Sequence, residues 1–233
     1  MGKVIAICTS PAKGTQKTRI EEGTFIEDFG LEGDAHAGKW HRQVSFLSAD
    51  IVDEFNEKGA SVIEGDFGEN ILAYGIDFKK LPVGTKLICN DAKFEITQIG
   101  KECHSHCEIY KRVGDCIMPR EGIFAKVLES GTIKVGDKIE VIYPEKDMPY
   151  MAAVMTLSDK GSRGERVDTS GPRAAEILKE HGFKIVEELL LPDEEAQIKK
   201  HLIRLSDSRQ VDLIITTGGT RAFFQEIVHQ KQL

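Results

Sequence analysis

The chain has 233 residues, enough for one large or two modest domains, and its 40% apolar and 30% charged residues are typical of a soluble globular protein. The formal net charge of −7 argues against a general nucleic-acid binder, which needs a basic face. No apolar run approaches the ~18 residues that cross a bilayer. Five cysteines without a secretory cleavage pattern favour a cytoplasmic protein with free thiols, so we expect neither a nucleic-acid nor a membrane partner.

The first part of the chain alternates short apolar runs with glycine-rich turns. Ser48 is a good N-cap for a helix over Ala49–Lys58. Residues 81–88 and 133–141 resemble each other, since each is a Val-Gly turn that leads into an alternating strand. Together with the other strand-like runs they predict an antiparallel β-barrel with few helices. Those runs are Val4–Thr9, Gly23–Phe29, Gln43–Leu47 and Lys93–Ile99.

A loop over residues 30–42 is rich in glycine and histidine. It contains three glycines, Asp34, His36, His41 and the only tryptophan. Loops of this composition often place polar groups around a ligand, although a plain glycine-rich connection is the alternative.

Residues 100–124, called here the cysteine stretch, hold three of the five cysteines. Nearby cations lower the pKa of a thiol and favour the reactive thiolate. A metal site is a second interpretation, but the spacing is a poor zinc signature. Each cysteine taken alone is also compatible with a small core residue. The thiols and imidazoles are Cys103, His104, His106, Cys107 and Cys116, and the cations are Lys101, Lys111, Arg112 and Arg120.

The second part of the chain follows a linker predicted at residues 144–150 and has a different pattern. A β-α-β-α-β order predicts a partial parallel sheet, with ligands at the carboxyl ends of its strands. Three loops rich in Gly, Ser, Thr and Asp are placed at those ends, at residues 158–164, 192–194 and 216–220. The elements are a strand Met151–Leu157, a helix Gly171–Glu180 capped by Ser170, a strand Lys184–Leu190, a helix Asp193–Leu205 and a strand Val211–Thr217.

Residues 1–143 resemble the MOSC domain, named after the C-terminal part of molybdenum cofactor sulfurases. The matching motifs are Gly33-Asp34-x-His36, residues 65–70, the cysteine stretch and residues 135–137. The resemblance implies a β-barrel that binds a molybdopterin-type cofactor and uses one cysteine as a sulfur carrier or molybdenum ligand. That cysteine precedes a short apolar strand, so the order of expectation is Cys107, then Cys103, then Cys116, with Cys107 as the metal ligand.

The same resemblance suggests which other residues hold the cofactor and which partners are needed. No pyridoxal-phosphate desulfurase precedes the barrel, so sulfur would come from a donor such as a cysteine desulfurase. A molybdoenzyme would receive the product. The cofactor carries a phosphate, which basic side chains can hold, although a solvated surface charge is the alternative for each of them. The candidate binding residues are Gly33, Asp34, His36, Lys39, Arg42, Asn70, Lys101, Arg112 and Arg120.

Residues 151–220 resemble the molybdopterin adenylyltransferases, which attach AMP to molybdopterin. The matching motifs are Ser158-Asp159, Asp168-x-Ser170-Gly171, residues 192–194 and residues 216–220. The resemblance implies a pterin and Mg-nucleotide site. Beyond Thr220 the family's second carboxylate motif is missing, so we expect a truncated domain without adenylyltransferase activity. The implied binding residues are Asp159, Asp193, Gly218, Gly219 and Thr220.

Residues 221–233 are hypothesised to be an out-of-frame tail. If their codons are read one base earlier, they allow Gly-Phe-Leu-Pro-Arg-Asp-Cys-Thr-Pro-Glu-Ala-Thr, the continuation that the family resemblance implies. Each step allows only a few residues, so agreement along the whole run by chance is improbable. The nucleotide sequence around the Thr220 codon decides this hypothesis.

Three functions are compatible with these patterns. The first is cofactor maturation, in which the barrel holds the cofactor and a cysteine transfers sulfur or binds the metal. The second is a carrier that binds the cofactor without catalysis. The third is a small zinc or redox-sensing protein. The residues favour the first two without separating them, and they leave a homo-oligomer open.

Overall fold

A computed structural model of the protein describes residues 1–101, 108–145 and 149–218, apart from the side chains of Glu108 and Arg112. Residues 1–145 and 208–210 belong to one compact unit, and residues 149–207 and 211–218 belong to a second. The predicted linker 144–150 extends outside the described residues, and so do residues 219–233, so the predicted domain bounds stay a prediction.

The first unit is built mainly from short strands. Its helices are α1 (Ala49–Glu57), α2 (Glu108–Val113) and α3 (Met118–Glu121), with a 3-10 turn at Phe78–Lys80. Its strands are β1 (Gly2–Thr9), β2 (Thr18–Ile20), β3 (Glu22–Ile26), β4 (Gly30–Leu31), β5 (Val44–Ser48), β6 (Ile71–Tyr74), β7 (Lys86–Cys89), β8 (Ala92–Ile99), β9 (Ile123–Glu129), β10 (Gly131–Lys134) and β11 (Lys138–Ile142).

Seven of these strands close into a barrel, as the sequence predicted. Their order is β1-β6-β5-β9-β8-β7-β11, and β11 pairs back onto β1 with Gly2 opposite Ile139. Neighbouring strands run antiparallel, except that β5 and β6 are parallel. Closure leaves these seven strands without an unpaired edge.

The interior of the barrel is filled by large apolar side chains from alternate strand positions. The Phe94 ring lies 5.2 Å from the Phe25 ring and 5.3 Å from the Phe46 ring, both in edge-to-face geometry. All three side chains are essentially inaccessible to water. A second apolar cluster lies on the outer side of β1 and β5, where α1, α2 and α3 pack.

The segment that follows Cys107 differs from the sequence prediction. A short strand was expected there, but residues 108–113 form helix α2. Ile109 and Val113 are four residues apart and therefore share one face of the helix. Both pack into the second apolar cluster. Burial of this helical stripe explains the helix, and it removes the argument that ranked Cys107 by a following strand.

The second unit is a three-stranded parallel sheet with helices. Its strand order is β13-β12-β14, which confirms the predicted partial α/β arrangement. The helix predicted at Asp193–Leu205 is shorter than expected. It begins at Glu195 and passes into a π-helical turn, Arg204–Ser208. The elements are β12 (Met151–Leu157), α4 (Asp159–Ser162), α5 (Ser170–Glu180), β13 (Lys184–Leu191), α6 (Glu195–Ile203) and β14 (Leu213–Gly218).

The helix caps only partly follow the predictions. Ser48 is the N-cap of α1, but its hydroxyl donates a hydrogen bond to Asp50 Oδ2 (3.2 Å) and makes no cap hydrogen bond. Ser170 is the first residue of α5, whose N-cap is Thr169. Within the described residues, none of the helices has the length and apolar character needed to cross a membrane.

We predict that Phe94→Ala destabilises the first unit by about 3–5 kcal/mol, because it removes a ring that contacts two other buried rings. Guanidinium unfolding followed by fluorescence of Trp40, which lies in the same unit, measures this loss. Phe29→Ala is the control, since the Phe29 side chain is 40% exposed. Equal losses for the two variants would contradict the assignment of Phe94 to the core.

Candidate functional site

The carboxylate of Asp34 organises the glycine-histidine loop of the first unit. Its Oδ2 accepts hydrogen bonds from Lys17 Nζ (2.8 Å), the Ser10 backbone N–H (3.1 Å) and Asn70 Nδ2 (3.2 Å). Its Oδ1 accepts from the His36 backbone N–H (2.9 Å). Burial alone would raise the pKa of Asp34, but the hydrogen bond and charge of Lys17 outweigh it and hold the pKa below its usual value. Asp34 is therefore an ionised, buried hub.

Asn70 ties this hub to the barrel wall. Its Oδ1 accepts from the backbone N–H (3.1 Å) and hydroxyl (3.0 Å) of Ser45, and its Nδ2 also donates to the Cys8 carbonyl (3.1 Å). Asp34 and Asn70, both predicted to bind the cofactor, are thus buried and engaged by protein groups. In the structure they support the loop, and a direct cofactor contact stays a prediction.

Two glycines of the predicted motifs are required by the backbone. Gly33 has φ +77°, which is a left-handed turn conformation, and Gly65 has φ +89°. A Cβ on Gly65 would lie 2.3 Å from the Lys17 carbonyl oxygen, so any larger residue would push the two segments apart. Gly33 therefore shapes the loop, and Gly65 shapes the turn at residues 65–70, through their backbones.

Glu69 is a site residue that the sequence analysis missed. Its side chain is inaccessible to water, and its Oε1 accepts from the Gly65 backbone N–H (2.6 Å). Its Oε2 has no hydrogen-bond partner among the described residues. Burial raises the pKa of Glu69 to about 7. Its position between Gly68 and Asn70 in the predicted motif was the only signal, and burial cannot be inferred from that position.

Burial and nearby charges set the protonation state of His36. His36 Nδ1 lies 3.4 Å from Asp34 Oδ1, and its side chain is partly exposed. Burial lowers the pKa of His36 first, and the charges of Lys17 and Lys101 lower it further against the opposing effect of Asp34. His36 is therefore neutral near pH 7.

His41 and Arg42 lie where the same loop leads into β5. His41 Nε2 is 3.0 Å from Gln98 Oε1. The Arg42 guanidinium carbon lies 4.7 Å from the Trp40 ring centroid and 5.6 Å from that of Phe124, which is cation–π geometry. Lys39, also predicted to hold the phosphate, is exposed. We call Asp34, His36, His41, Arg42 and Lys101 the barrel site.

The predicted cysteines divide into two groups. Cys103 and Cys107 lie outside the described residues, so the structure does not place either thiol. Cys116 is buried in the second apolar cluster, and its backbone N–H donates to Asp115 Oδ1 (2.7 Å). Cys8 and Cys89 are buried strand residues, and burial raises the pKa of each thiol to about 12. Cys8 and Cys89 are therefore protonated thiols at neutral pH.

The remaining cations of the cysteine stretch that were predicted to hold the phosphate are Arg112 and Arg120. The structure does not describe the Arg112 side chain. Arg120 makes a bidentate ion pair with Asp115, with N–O distances of 3.0 and 2.8 Å. Its charge is thus already matched by a carboxylate, which favours the alternative of a paired surface residue.

The second unit has a polar cleft of about 380 Å³ at the carboxyl ends of its strands. All three loops that the sequence placed at those ends contribute to it. Gly218 lines the cleft, whereas Gly219 and Thr220 lie outside the described residues. The other polar lining residues are Thr156, Ser158, Asp159, Lys160, Arg166, Asp168, Thr169, Ser170 and Asp193.

Aspartates fix the walls of this cleft. Asp159 Oδ1 accepts from the Asp193 backbone N–H (3.0 Å), which joins the first two loops. Asp168 Oδ1 accepts from the backbone N–H groups of Ser170 (3.0 Å) and Gly171 (3.1 Å) at the start of α5. Burial raises the pKa of Asp168, but the neighbouring Thr156 hydroxyl and the hydrogen bonds from Gly171 and Ser170 outweigh this and lower it. Asp168 is therefore ionised and takes the place of a bound anion at the helix start.

The size and polarity of the cleft fit a small polar molecule. Its volume lies in the range of small-molecule sites, about 300–1,000 Å³. Lys160 and Arg166 can face a phosphate, and the loop backbones offer further polar groups. Among the described residues no group of three or more His, Cys, Asp or Glu side chains is arranged to hold a metal ion.

The comparisons with known proteins match the two units separately. Residues 33–140 match the MOSC domain, and residues 153–222 match the family described as probable molybdopterin binding domain. The chain joins a MOSC domain to a molybdopterin-binding-type domain. Both findings support a role related to the molybdenum cofactor.

Curated relatives match the second part. A molybdopterin adenylyltransferase from Helicobacter pylori is 37% identical over 76 residues, which is 32% of this chain and 43% of that protein. One from Pyrococcus furiosus is 36% identical over 78 residues, 33% of this chain and 45% of that protein. The chain spans less than half of the length of these relatives.

Solved structures resemble much of the fold. The YUAD protein from Bacillus subtilis superimposes with a TM-score of 0.52 at 19% identity, over 62% of this chain and 98% of that chain. YiiM from Geobacillus stearothermophilus gives a TM-score of 0.51 at 14% identity, over 88% of this chain and 100% of that chain. At these identities the likeness concerns the fold alone.

We predict that Glu69→Gln changes how stability depends on pH. A pKa raised from 4.5 to about 7 means that folding favours the neutral carboxyl group, so wild-type stability is lost as pH rises between these values and is flat above them. Between about pH 5 and about pH 8 the wild type should lose roughly 2–3 kcal/mol relative to the variant. Guanidinium unfolding followed by Trp40 fluorescence measures the unfolding free energy of both proteins at each pH. Parallel pH profiles would contradict a buried, proton-binding Glu69.

Proposed function

We propose that this protein binds a molybdopterin-type cofactor and transfers sulfur to it, or ligates its molybdenum, through a cysteine of the cysteine stretch. The observation that carries the binding part of this proposal is the cleft of the second unit, where motif residues from three separate loops converge around one polar cavity. The cofactor is the substrate, and it supplies the metal centre that accepts sulfur. All other steps belong to side chains of the chain.

In the cleft, charge and loop geometry provide binding. Lys160 and Arg166 offer cations to the cofactor phosphate. The Asp159 carboxylate holds the Asp193 loop by its backbone N–H, so the Asp193 side chain is presented from a fixed loop. Because Asp168 already binds the N–H groups at the start of α5, a phosphate is directed to the cationic side chains.

In the barrel, a cysteine thiolate would accept sulfur from a donor persulfide. The thiolate attacks the outer sulfur of the donor, a new S–S bond forms on the protein, and the donor leaves as a thiolate. Neutral His36 and the cations Lys101 and Arg42 provide a proton acceptor and positive charge in the same unit. Cys107 stays the first candidate because its sequence setting is cationic and rich in histidine, and Cys103 is the second. Cys116 ranks last because it lies in an apolar cluster.

The alternative is a carrier function, which differs from sulfur transfer in whether the protein accepts sulfur from a persulfide donor. A carrier would hold the cofactor in the cleft or barrel and accept no sulfur from a persulfide donor. Among the described cysteines, Cys8, Cys89 and Cys116 are all buried, so none of these three thiols is exposed to a persulfide donor. This burial favours the carrier function for the described cysteines. Sulfur loading of the purified protein separates the two functions.

For the cleft, we predict that Gly171→Ala weakens molybdopterin binding by about tenfold or more, equivalent to roughly 1.4 kcal/mol. A Cβ at Gly171 would lie 2.5 Å from both Asp168 Oδ2 and Thr156 Oγ1, so the Asp168 loop must move. Titration calorimetry with molybdopterin measures the affinity. Lys179→Ala, an exposed change near the far end of α5, should bind like the wild type. Equal affinities for all three proteins would show that the ligand does not use this cleft.

For the barrel, we predict that Cys107→Ser abolishes persulfide loading from a persulfide donor, as detected by mass spectrometry of the intact protein. Cys8→Ser and Cys89→Ser should load like the wild type, because these thiols are protonated and buried. Full loading of Cys107→Ser together with loss in Cys103→Ser would move the role to Cys103. Loading unaffected by any of these changes would contradict sulfur transfer by the stretch.

A further inference from the structure

Gln98 lies between the glycine-histidine loop and the cysteine stretch and is nearly inaccessible to water. Its Nε2 donates to the Gly100 carbonyl (2.7 Å), and its Oε1 is 3.0 Å from His41 Nε2. A carbonyl oxygen can only accept a hydrogen bond, so the amide nitrogen must be the atom that faces Gly100. The amide oxygen therefore faces His41.

This orientation determines the protonation of His41. An amide oxygen accepts and cannot donate, so the imidazole nitrogen that faces it must carry a hydrogen. Neutral His41 is then protonated on Nε2, and its lone pair is on Nδ1. The Gly100 carbonyl thus sets the orientation of the Gln98 amide, and the amide oxygen sets which nitrogen of neutral His41 carries the hydrogen.

A β-bulge explains why this strand can hold His41 at two points. The register between β8 and β9 shifts between Ile96 and Gln98, and Thr97 and Gln98 are both buried although they are consecutive. The Thr97 hydroxyl donates to the His41 carbonyl while Gln98 binds its ring. Backbone and side chain of His41 are therefore both held by the bulge.

Gly100 is held equally firmly. Its N–H donates to the Gly122 carbonyl (2.6 Å), and its carbonyl accepts from Gln98. Its φ of +67° is a left-handed conformation, and a Cβ there would lie 2.1 Å from the Pro119 carbonyl oxygen. The first residue of the cysteine stretch thus has both backbone polar groups fixed, one of them by the side chain that binds His41.

We propose that Gln98 is a positioning residue of the barrel site: its amide fixes His41 as the Nε2-protonated tautomer and anchors Gly100 at the start of the cysteine stretch. The chemical role of the barrel site rests on the proposed function, whereas the tautomer does not.

The test is the ¹⁵N spectrum of histidine-labelled protein at alkaline pH, where a free imidazole is neutral. In the wild type, His41 Nε2 should show a pyrrole-like shift and Nδ1 a pyridine-like shift. Gln98→Met keeps the length of the side chain and removes both hydrogen bonds, so the two shifts should converge. Gln98→Glu keeps an acceptor, so the tautomer should persist while the hydrogen bond to Gly100 is lost.

The pair of variants separates the positioning role from packing. A side chain that only fills space would be replaced well by Met and poorly by Glu, which is the opposite order. A wild-type His41 protonated on Nδ1, or an unchanged spectrum in Gln98→Met, would overturn the proposal. The wild-type spectrum gives this answer even if a variant does not fold. Lys93→Gln, on the exposed side of β8, is the control and should leave the spectrum unchanged.

A second measurement connects Gln98 to the cysteine stretch. Alkylation of Cys103 and Cys107, followed by mass spectrometry over a range of pH, should show a changed pH profile in both Gln98 variants and not in Lys93→Gln. If the wild type shows the predicted tautomer but no thiol accepts sulfur, the proposed function fails and the role of Gln98 in fixing His41 stands.

Discussion

The buried ion pair between Asp34 and Lys17 is the interaction on which the barrel site depends. Both side chains are almost completely buried, and they join three segments: the turn after β1, the glycine-histidine loop and the turn before β6. Removing one partner of a buried pair leaves an uncompensated charge and typically costs about 3–5 kcal/mol. Because Asp34 also accepts from the His36 backbone, that loss would displace the histidine together with the loop.

The buried polar residues around Asp34 differ in whether all of their polar atoms have hydrogen-bond partners. The side-chain polar atoms of Asp34 and Asn70 are hydrogen-bonded to other protein groups. Glu69, beside Asn70 in the chain, has one oxygen without a partner among the described residues. Burial raises the pKa of Glu69 to about 7, whereas Lys17 holds the pKa of Asp34 below its usual value. Two carboxylates in one region of the fold thus have pKa values shifted in opposite directions, set by whether a cation is close enough to offset burial.

The sequence predicted the barrel, the partial parallel sheet and the motifs well, because all three follow from strand periodicity and turn residues. It failed where tertiary packing decides. Residues 108–113 form helix α2 and not the expected strand, because Ile109 and Val113 pack against an apolar cluster formed by residues distant in the chain. Glu69 and Gln98 were missed for the same reason, since their roles arise from burial and from partners that the chain order does not reveal.

Each unit also contains a carboxylate that acts as a built-in anion. Asp34 binds backbone N–H groups of Ser10 and His36, and Asp168 binds those of Ser170 and Gly171. Backbone N–H groups of this kind often bind phosphate in other proteins. Here they are occupied, so an anionic ligand must gain its affinity from side chains such as Arg42, or Lys160 and Arg166. Substituting Asp34 or Asp168 would therefore disturb the scaffold first, and the cationic side chains are the more informative targets for ligand binding.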